Sequence, residues 1–426
     1  MELGIKNGFK QTEIGLIPED WDVATMRSLT TLMTNGFVGT AKSQYTEARD
    51  GVIYIQGYNV KENSFNFRGV KKVNPEFHKR NKKSDLKEGD LLTVQTGDVG
   101  LTTIVPKELE GSNCHALIIS RFKSNKAYPW YYTQYFNSKQ GRARLVELET
   151  GTTMKHINVG ELQHWLVPLP PTLAEQKAIA TALSDVDELI SSIDALIAKK
   201  KAIKQGAMQQ LLTPPSKGGK RLDGFDGEWM ETLLDEVAWY QEGPGLRKWQ
   251  FTGRGIKVIN ITNLVDGYLD LEKTQRHISW DEFNKMYQHF EIDENDIVVA
   301  SSGNSYCKTA VVRQKDLPLV MNTSVIRFKP KENLDYKLLL IFLKSTFFKD
   351  QIDFLITGGA QPNFGPAHLK KIIFNLPPTI EEQSAIAEIL YDIDMELEEL
   401  EIKKEKYEHI KQGMMQELLT GKTRLV

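Results

Sequence analysis

Two polar, glycine-containing loops occupy equivalent places in the two halves of the sequence. They are Gln95-Thr96-Gly97-Asp98 and Ser301-Ser302-Gly303-Asn304, and each directly follows a short apolar run. Their amide, hydroxyl and carboxylate groups supply donors and acceptors that match the edges of nucleic-acid bases, and glycine allows close backbone approach. For any single residue, ordinary turn chemistry is the alternative interpretation.

A second pair of polar loops lies further along each half, over residues 151–158 and 358–363. These loops add lysine, histidine, glutamine and asparagine side chains to the same chemistry. Taken together, the four loops predict base-reading positions at Gln95, Thr96, Gly97, Asp98, Lys155, His156, Ser301, Ser302, Asn304, Gln361 and Asn363.

A basic stretch accompanies the first loop. Between Arg68 and Lys87 there are eight lysines and arginines but only two acids, with Phe77 and His78 among them. Clustered cations are what neutralising a phosphate backbone requires, although a solvated surface patch is the simpler alternative. The second half has a looser counterpart. The predicted phosphate contacts are Lys71, Lys72, Arg80, Lys82, Lys83, Arg254 and Arg276.

The element that must position these loops is a long helix repeated in the sequence. Leu169 to Thr213 aligns without a gap with Leu376 to Thr420, and 22 of the 45 positions are identical. Each copy opens with Leu-Pro-Pro-Thr followed by a glutamate three residues after the threonine, which predicts a capping box with reciprocal bonds. Outside the helices the halves diverge, so a fixed frame carries two different heads.

Apolar residues recur along both helices in alternating steps of three and four, the pattern of a coiled-coil seam. Mutual packing of the two stripes is favoured over packing of each helix on its own domain, because both copies keep the same seam. The predicted seam residues are Ile179, Leu183, Val186, Ile190, Ile193 and Ile197 in the first helix and Ile386, Leu390, Ile393, Leu397 and Leu400 in the second.

The rest of each half reads as an α+β domain. Short β-branched runs at 51–56, 90–95, 255–260 and 296–301 predict strands, and the stretches 130–148 and 336–356 predict helices. The predicted division is a first domain over 1–168, a long helix over 169–213, a linker over 214–228, a second domain over 229–375 and a second long helix over 376–420.

Enzyme chemistry and membrane segments find little support. The sequence Gly421-Lys422-Thr423 ends a predicted helix, whereas a phosphate-binding loop opens one, and the eight histidines form no ligand set. Two isolated cysteines, the absence of a signal peptide and a longest aliphatic and aromatic run of only Leu338 to Leu343 favour a cytoplasmic protein. A net charge of −2 neither requires nor excludes a polyanionic partner.

Two variable regions, each followed by a near-identical helix opened by Leu-Pro-Pro-Thr-x-x-Glu-Gln (169–176 and 376–383), resemble the specificity subunit of type I restriction–modification systems. The similarity spans essentially the whole chain, including Ile17-Pro18-Glu19-Asp20-Trp21. It implies two target-recognition domains in a pseudo-twofold arrangement, joined by two long helices that form an antiparallel coiled coil.

The resemblance also implies partners. Each domain would read one half of an asymmetric, bipartite target in double-stranded DNA, and the coiled coil would set the spacer. Two methyltransferase subunits and motor–endonuclease subunits would join the complex and carry S-adenosylmethionine, ATP and Mg, leaving no cofactor and no metal in this chain. The alternatives are a coiled-coil adaptor with two protein-binding heads and a self-contained DNA-cutting enzyme. The adaptor leaves the repeated polar loops unexplained, and the enzyme lacks motifs.

Overall fold

The computed structural model describes residues 7–151, 155–265, 267–356 and 362–425. The chain divides into two compact units. Unit 1 comprises Met1–Asp194 together with Ile402–Val426, and unit 2 comprises Ala195–Glu401. Each unit therefore contains one globular domain and one half of each long helix.

Unit 1 is built from short strands and helices in mixed order. Its strands are β1 (Phe9–Thr12), β2 (Gly15–Pro18), β3 (Asp22–Thr25), β4 (Thr30–Asn35), β5 (Val52–Ile55), β6 (Val60–Lys61), β7 (Ser64–Phe65), β8 (Lys71–Val73), β9 (Leu91–Val94), β10 (Thr102–Ile104), β11 (Asn113–Cys114), β12 (Leu117–Phe122), β13 (Glu149–Thr150), β14 (His156–Ile157) and β15 (Leu166–Leu169). Its helices are α1 (Met26–Leu29), α2 (Pro75–Arg80), α3 (Pro129–Asn137), α4 (Lys139–Val146), α5 (Val159–His164) and the first half of α6 (Leu173–Leu211).

Unit 2 repeats this plan. Its strands are β16 (Met230–Leu233), β17 (Ala238–Glu242), β18 (Ile256–Ile259), β19 (Leu264–Val265), β20 (Tyr268–Leu269), β21 (His277–Ile278), β22 (Ile297–Ala300), β23 (Thr309–Val311), β24 (Leu319–Met321), β25 (Val325–Pro330) and β26 (Ile373–Leu376). Its helices are α7 (Leu234–Val237), α8 (Trp280–Glu282), α9 (Tyr336–Lys344), α10 (Thr346–Leu355), α11 (Pro366–Leu369) and the first half of α12 (Ile380–Leu418).

A four-stranded antiparallel sheet forms the middle layer of each domain, with strand order β10-β9-β12-β4 in unit 1 and β23-β22-β25-β17 in unit 2. A three-stranded sheet accompanies it, in the order β11-β5-β8 and β24-β18-β21. Successive side chains of a strand point to opposite faces, so the middle sheet serves two cores. Leu91 joins the core on the helical side, whereas Leu92 and Val94 join the core of the other face. The α+β class is confirmed in both domains.

The helical stretches predicted at 130–148 and 336–356 are each two helices rather than one. The break falls at Ser138 and at Ser345, whose hydroxyls accept hydrogen bonds from the Gly141 and Phe348 amides at 3.0 and 3.3 Å. Serine is a favourable N-cap because it satisfies a backbone donor at the start of a new helix. The repeat therefore preserves a corner that hydrophobic periodicity does not reveal.

Both long helices begin where the sequence predicts. The hydroxyls of Thr172 and Thr379 accept hydrogen bonds from the amides of Glu175 and Glu382 at 3.1 and 3.2 Å, which is half of a capping box. The other half of the prediction is wrong. The two glutamate carboxylates do not return to the threonines; both are buried and accept hydrogen bonds from arginines instead.

These two pairings, which we call the arginine clasps, close each unit. In unit 1, Arg424 from the segment after α12 makes two bonds to the Glu175 carboxylate, at 2.5 and 2.9 Å, and two more to Asp20. In unit 2, Arg221 from the segment after α6 donates to Glu382 at 2.7 Å, and the Trp229 indole donates to the same carboxylate at 3.1 Å. Residues 214–228, predicted as a linker, thus contribute directly to unit 2.

The glutamine that follows each clasp glutamate ties the helix to its own domain. Gln176 accepts a hydrogen bond from the Tyr128 amide at 2.8 Å, and Gln383 accepts one from the Asp335 amide at 2.9 Å. Both glutamines are buried. The repeated Glu-Gln pair is therefore a junction: the glutamate receives the returning arginine, and the glutamine holds the loop that leads into α3 or α9.

The predicted seam is buried or half-buried at all eleven positions. Ile179 and Leu183 lie in the main core of unit 1 together with Leu418 of α12, and Ile386 and Leu390 lie in the main core of unit 2 together with Leu211 of α6. Both interpretations of the stripe are thus correct: each helix begins in the core of its own domain and also packs against the other helix.

Ion pairs fix the direction of this packing within each unit. As residue numbers rise along α6, those of the partners on α12 fall, so the paired halves run antiparallel. The pairs are Asp187–Lys411 (2.7 Å) and Asp194–Lys404 (2.8 Å) in unit 1, and Lys201–Glu401 (2.8 Å) and Lys204–Asp394 (2.5 Å) in unit 2.

Candidate nucleic-acid interface

In unit 1, four chain segments meet at one end of the middle sheet. Because β9, β12 and β4 are neighbouring antiparallel strands, the end of β9, the start of β12 and the end of β4 lie side by side. Residues 155–158 join them through a bridge between Thr96 and His156 and a 3.1 Å bond from the Ile157 amide to the Gln95 carbonyl. We call residues 35–39, 95–98, 114–116 and 155–158 the first loop edge.

Unit 2 has the same construction at the end of β22. The Phe364 amide donates to the Ser301 carbonyl at 2.9 Å, and Ser302 bridges to Asn363. The Ser301 amide donates in turn to the Ser324 carbonyl at 2.9 Å. We call residues 242–245, 301–304, 322–324 and 362–365 the second loop edge. The predicted loop pairs of each half are thus brought together in space.

The predicted base-reading residues differ in exposure. Thr96, Gly97 and Asp98 are exposed, and Gln95 and His156 are half-buried. Lys155 is exposed and forms an ion pair with Glu149 at 3.2 Å.

In the second loop edge, Asn304 and Asn363 are exposed and Ser302 is half-buried. Ser301 is completely buried, and its hydroxyl donates to the Thr323 carbonyl at 3.3 Å, so this side chain supports the edge. Gln361 lies outside the described residues.

Sequence reasoning missed two of the four segments in each edge, 35–39 with 114–116 and 242–245 with 322–324. The signal that could have found them is a glycine, Gly36 or Gly243, at the same place in both halves. A Cβ on Gly36 would lie 2.6 Å from the Cys114 Sγ, and one on Gly243 would lie 2.2 Å from the Asn322 carbonyl oxygen. Only glycine allows these backbones to approach so closely.

The basic stretch is attached to the first loop edge through aromatic rings. Phe77 of α2 packs edge-on against Phe37 with ring centroids 4.9 Å apart. Lys71 lies opposite Tyr54 in the three-stranded sheet. Lys71, Arg80, Lys82 and Lys83 are exposed and Lys72 is half-buried, and none of them forms an ion pair within the described residues. Their charges therefore remain available for a polyanion.

The basic residues of unit 2 are arranged differently. Arg254 and Arg276 are both exposed, and the Arg276 guanidinium lies over the Phe251 ring at 5.4 Å from its centroid. Trp249, two residues before that ring, is 80% exposed. An exposed indole beside cations is a surface on which bases or sugars can stack.

Arg121 and Arg327 occupy equivalent positions in the two halves, and each forms an ion pair inside its own domain. Arg121 makes two 2.7 Å bonds to the buried Asp90, directly before β9, and Arg327 pairs with the buried Asp296, directly before β22, at 3.2 Å. Each pair anchors the strand whose far end carries a polar loop. These arginines position the loop edges.

The second loop edge has an additional clamp. Lys349 of α10 donates to the Tyr306 hydroxyl at 2.7 Å and to Asp353 at 2.6 Å, and the Tyr306 hydroxyl donates to the other oxygen of Asp353. The bond from Lys349 lowers the pKa of Asp353, and the bond to Asp353 raises the pKa of Lys349. The clamp therefore stays charged at neutral pH and holds the loop that contains Asn304 against α10.

Within the described residues no helix is long and apolar enough to cross a membrane. The same residues contain no group of three or more histidine, cysteine or acidic side chains placed to hold a metal ion.

Two domains of one construction, each with a polar loop edge and exposed cations, on a repeated helical frame define a two-headed DNA-recognition protein. A family model described as Type I restriction modification DNA specificity domain matches the chain twice, over residues 18–204 and 226–409. The chain therefore belongs to this family: it is a type I DNA specificity subunit, a non-catalytic subunit with two target-recognition domains.

Individual proteins similar to this chain are also type I specificity subunits. The specificity subunit of the type I restriction enzyme MjaVIII from Methanocaldococcus jannaschii is 32% identical over 300 residues, which cover 68% of this chain and 70% of that protein. The EcoBI specificity subunit from Escherichia coli is 26% identical, covering 87% of this chain and 78% of its own.

Solved structures share the fold. The S subunit of a type I restriction–modification system from M. genitalium superposes with a TM-score of 0.60 at 17% identity and covers 98% of both chains. A chain from a structure concerned with complex assembly and conformational transition of the type I system gives a TM-score of 0.57 at 14% identity, over 95% of this chain and 98% of that one.

Proposed function

We propose that each loop edge reads one half of a bipartite DNA target. The observation that carries the proposal is the convergence, at the same end of both middle sheets, of polar segments that are distant in sequence. The first edge offers Gln95, Thr96, Asp98, Lys155 and His156, and the second offers Ser302, Asn304 and Asn363. Because the two sets differ, the two half-sites differ, and the target is asymmetric.

The exposed and half-buried cations contact phosphates and give no sequence preference of their own. Lys71, Lys72, Arg80, Lys82 and Lys83 serve the first half-site, and Arg254 and Arg276 serve the second. Each phosphate contact steepens the salt dependence of binding by about 0.9 in the log–log slope. Base contacts contribute about 1–3 kcal/mol of discrimination each, so the loop edges decide the target and the cations fix the register.

The long helices set the spacer and provide the docking surface for two methyltransferase subunits, and motor–endonuclease subunits join the same complex. S-adenosylmethionine, ATP and Mg belong to these partners, which act on double-stranded DNA in the cytoplasm of a prokaryotic cell. Membership of the family supports this assignment. The proposed division of labour has domains over 1–168 and 229–375, frame segments over 169–213 and 376–420 and a connection over 214–228. Within the frame segments, the helices themselves are the shorter α6 (Leu173–Leu211) and α12 (Ile380–Leu418).

The test is base-resolution mapping of methyladenine in cells that carry the cognate methyltransferase with this chain or with a variant. We expect Asp98→Ala to relax the first half-site only and Asn363→Ala to relax the second only, each by roughly 10- to 100-fold at one position. The unaffected half-site is the internal control. A methylation pattern that does not depend on this chain would contradict the proposal and favour the adaptor, whose heads bind proteins.

A further inference from the structure

The Glu242 carboxylate in the second loop edge has no hydrogen-bond or ion-pair partner among the residues that the structure describes. Glu242 is the last residue of β17, opposite Ile326 of β25, and the next residue, Gly243, donates its amide to the Val325 carbonyl at 3.1 Å. The side chain is half-buried. Within the described residues it forms no ion pair and accepts no hydrogen bond, in contrast to the clasp glutamate Glu382. Burial raises the pKa of the Glu242 carboxyl group above its ordinary value.

The carboxylate points into the edge. Its Oε2 lies 3.6 Å from the place that a Cβ on Gly365 would occupy, so the side chain reaches the segment that follows Asn363. On its other side, Gly243 packs directly on the backbone of Asn322. The carboxylate therefore lies next to the side-chain-free Gly365, and the close packing of Gly243 fixes the backbone beside it, among residues proposed to face DNA.

A carboxylate in that position is costly unless something donates to it. Desolvation disfavours an unpaired charge, and the phosphates of DNA would repel it. An exocyclic base amine on DNA would make the carboxylate favourable, because it donates a hydrogen bond to it. In the major groove, glutamate accepts such a bond from the N4 amine of cytosine. A base that offers a carbonyl at the same place would leave both acceptors unpaired, which penalises the wrong sequence.

We propose that Glu242 is a base-reading residue of the second target-recognition domain and accepts a hydrogen bond from an exocyclic base amine, that of cytosine by preference. The inference rests on the proposed function of the loop edge. The same position in the first half is Asn35, the last residue of β4, whose buried Oδ1 has no hydrogen-bond partner within the described part of the chain. Both domains thus present an unpartnered acceptor before the close-packed glycine, a carboxylate in one and an amide in the other.

The test compares Glu242→Gln with Glu294→Gln in the methylation assay, using the full chain and its methyltransferase. Glu294 is an exposed acid near the opposite end of the same sheet and serves as the control. We expect E242Q to relax one position of the second half-site by about 10- to 100-fold and to leave the first half-site unchanged. E294Q leaves both half-sites unchanged. A relaxed G·C pair identifies the cytosine amine, and a relaxed A·T pair identifies that of adenine.

Thermal unfolding separates this role from a structural one. Replacing an unpaired, half-buried carboxylate with an amide removes a desolvation cost, so the Tm of E242Q stays equal to or above that of the wild-type chain. A lower Tm with both half-sites relaxed would overturn the inference. So would an unchanged second half-site in E242Q when Asn304→Ala and Asn363→Ala relax it. If all three variants left the second half-site unchanged, the function proposed for the loop edge would itself be wrong.

Discussion

The two domains are attached to the helical frame in different ways although the frame is the same. In unit 1, Asp187 of α6 accepts hydrogen bonds from Lys411 of α12 at 2.7 Å, and from Asn63 and Gln134 of the domain at 2.9 Å each. In unit 2, the equivalent Asp394 of α12 pairs with Lys204 of α6. The position equivalent to Gln134 is Ile341, which lies in the apolar core.

The polar attachment in unit 1 reaches a turn of the recognition domain. Asn63 lies between β6 and β7 with a positive φ of 52°, and it also accepts a hydrogen bond from Asn137 at 2.6 Å. The corresponding turn in unit 2 contains Gly267, which has no side chain to bond. Unit 2 stiffens its reading loop instead, through the clamp of Tyr306, Lys349 and Asp353.

This comparison shows which parts of the molecule are free to vary. The Glu-Gln junctions, the arginine clasps, the helix ion pairs and the arginine–aspartate pairs before β9 and β22 occur in both units. The bonds to Asp187 and the clamp of Tyr306, Lys349 and Asp353 are each particular to one domain. A domain can therefore change its reading surface and its local braces together, as long as it keeps the junction with the frame and the arginine–aspartate pair that anchors its central strand.

The largest difference we expect lies in the clasps. Arg424→Met removes four bonds and leaves Glu175 buried without a cation, which lowers the free energy of unfolding by about 3 kcal/mol. Arg221→Met has a smaller effect, about 2 kcal/mol, because Trp229 continues to donate to Glu382. Denaturant unfolding measures both, and Lys422→Met, at an exposed site beside Arg424, is the control. Equal losses would show that the indole does not compensate.

At acid pH, part of the stability that Arg424 gives to the wild-type chain should be lost. The hydrogen bond from Arg424 lowers the pKa of Asp20 below its ordinary value of 3.8. A carboxyl group whose pKa is lowered by folding adds stability above its unfolded pKa and loses it as the pH falls through its folded pKa. The stability gap between R424M and wild type should therefore be constant from pH 5 to 8 and narrow below about pH 4.

The braces on the frame give the next prediction. Asp187→Asn in unit 1 weakens three hydrogen bonds and removes the charge beside the buried Lys411, so we expect a loss of about 2 kcal/mol in the free energy of unfolding. Asp394→Asn in unit 2 should lose about 1 kcal/mol, because its partner Lys204 is more exposed than Lys411. If the two variants were equally destabilised, the extra bonds to Asn63 and Gln134 would contribute nothing.

The smallest effect concerns the cations of the first domain. Lys82→Ala and Lys83→Ala should each flatten the salt dependence of DNA binding by about 0.9 in the log–log slope without changing the target sequence. Lys79→Ala is the matched control, since Lys79 is paired with Glu76 at 3.2 Å. We expect that control to leave the slope nearly unchanged. A change of sequence preference in K82A or K83A would mean that these lysines read bases.

Local patterns in the sequence predicted the helical frame well. The starts at Thr172 and Thr379, the seam from Ile179 to Leu400 and the strands before the polar loops all depend on neighbours within a few residues. The sequence pattern predicts the wrong partners for the cap glutamates, because Glu175 pairs with Arg424, which is 249 residues away in the chain. No spacing rule connects residues that distant.

The candidate site could be predicted only in part, because some of its segments also meet through contacts between residues distant in the chain. The polar loops at 95–98 and 301–304 were visible because glycine and polar side chains follow an apolar run. The segments 35–39 and 242–245 join them only through the pairing of β4 with β12 and of β17 with β25, which is a non-local register. In the sequence, nothing distinguishes Glu242 from an ordinary surface acid. Only the non-local strand register places it beside Gly365.

The clasps also impose an order on biosynthesis. Unit 2 is continuous in sequence, whereas unit 1 requires residues 402–426 in addition to its first 194. A ribosome therefore delivers every residue of the second unit before the first can close, and Glu175 waits without its arginine until Arg424 has emerged. Until then the core around Ile179 and Leu183 also lacks Met415, Leu418 and Leu419, which complete it. A chain that stops before residue 402 would release a complete second unit and an open first one.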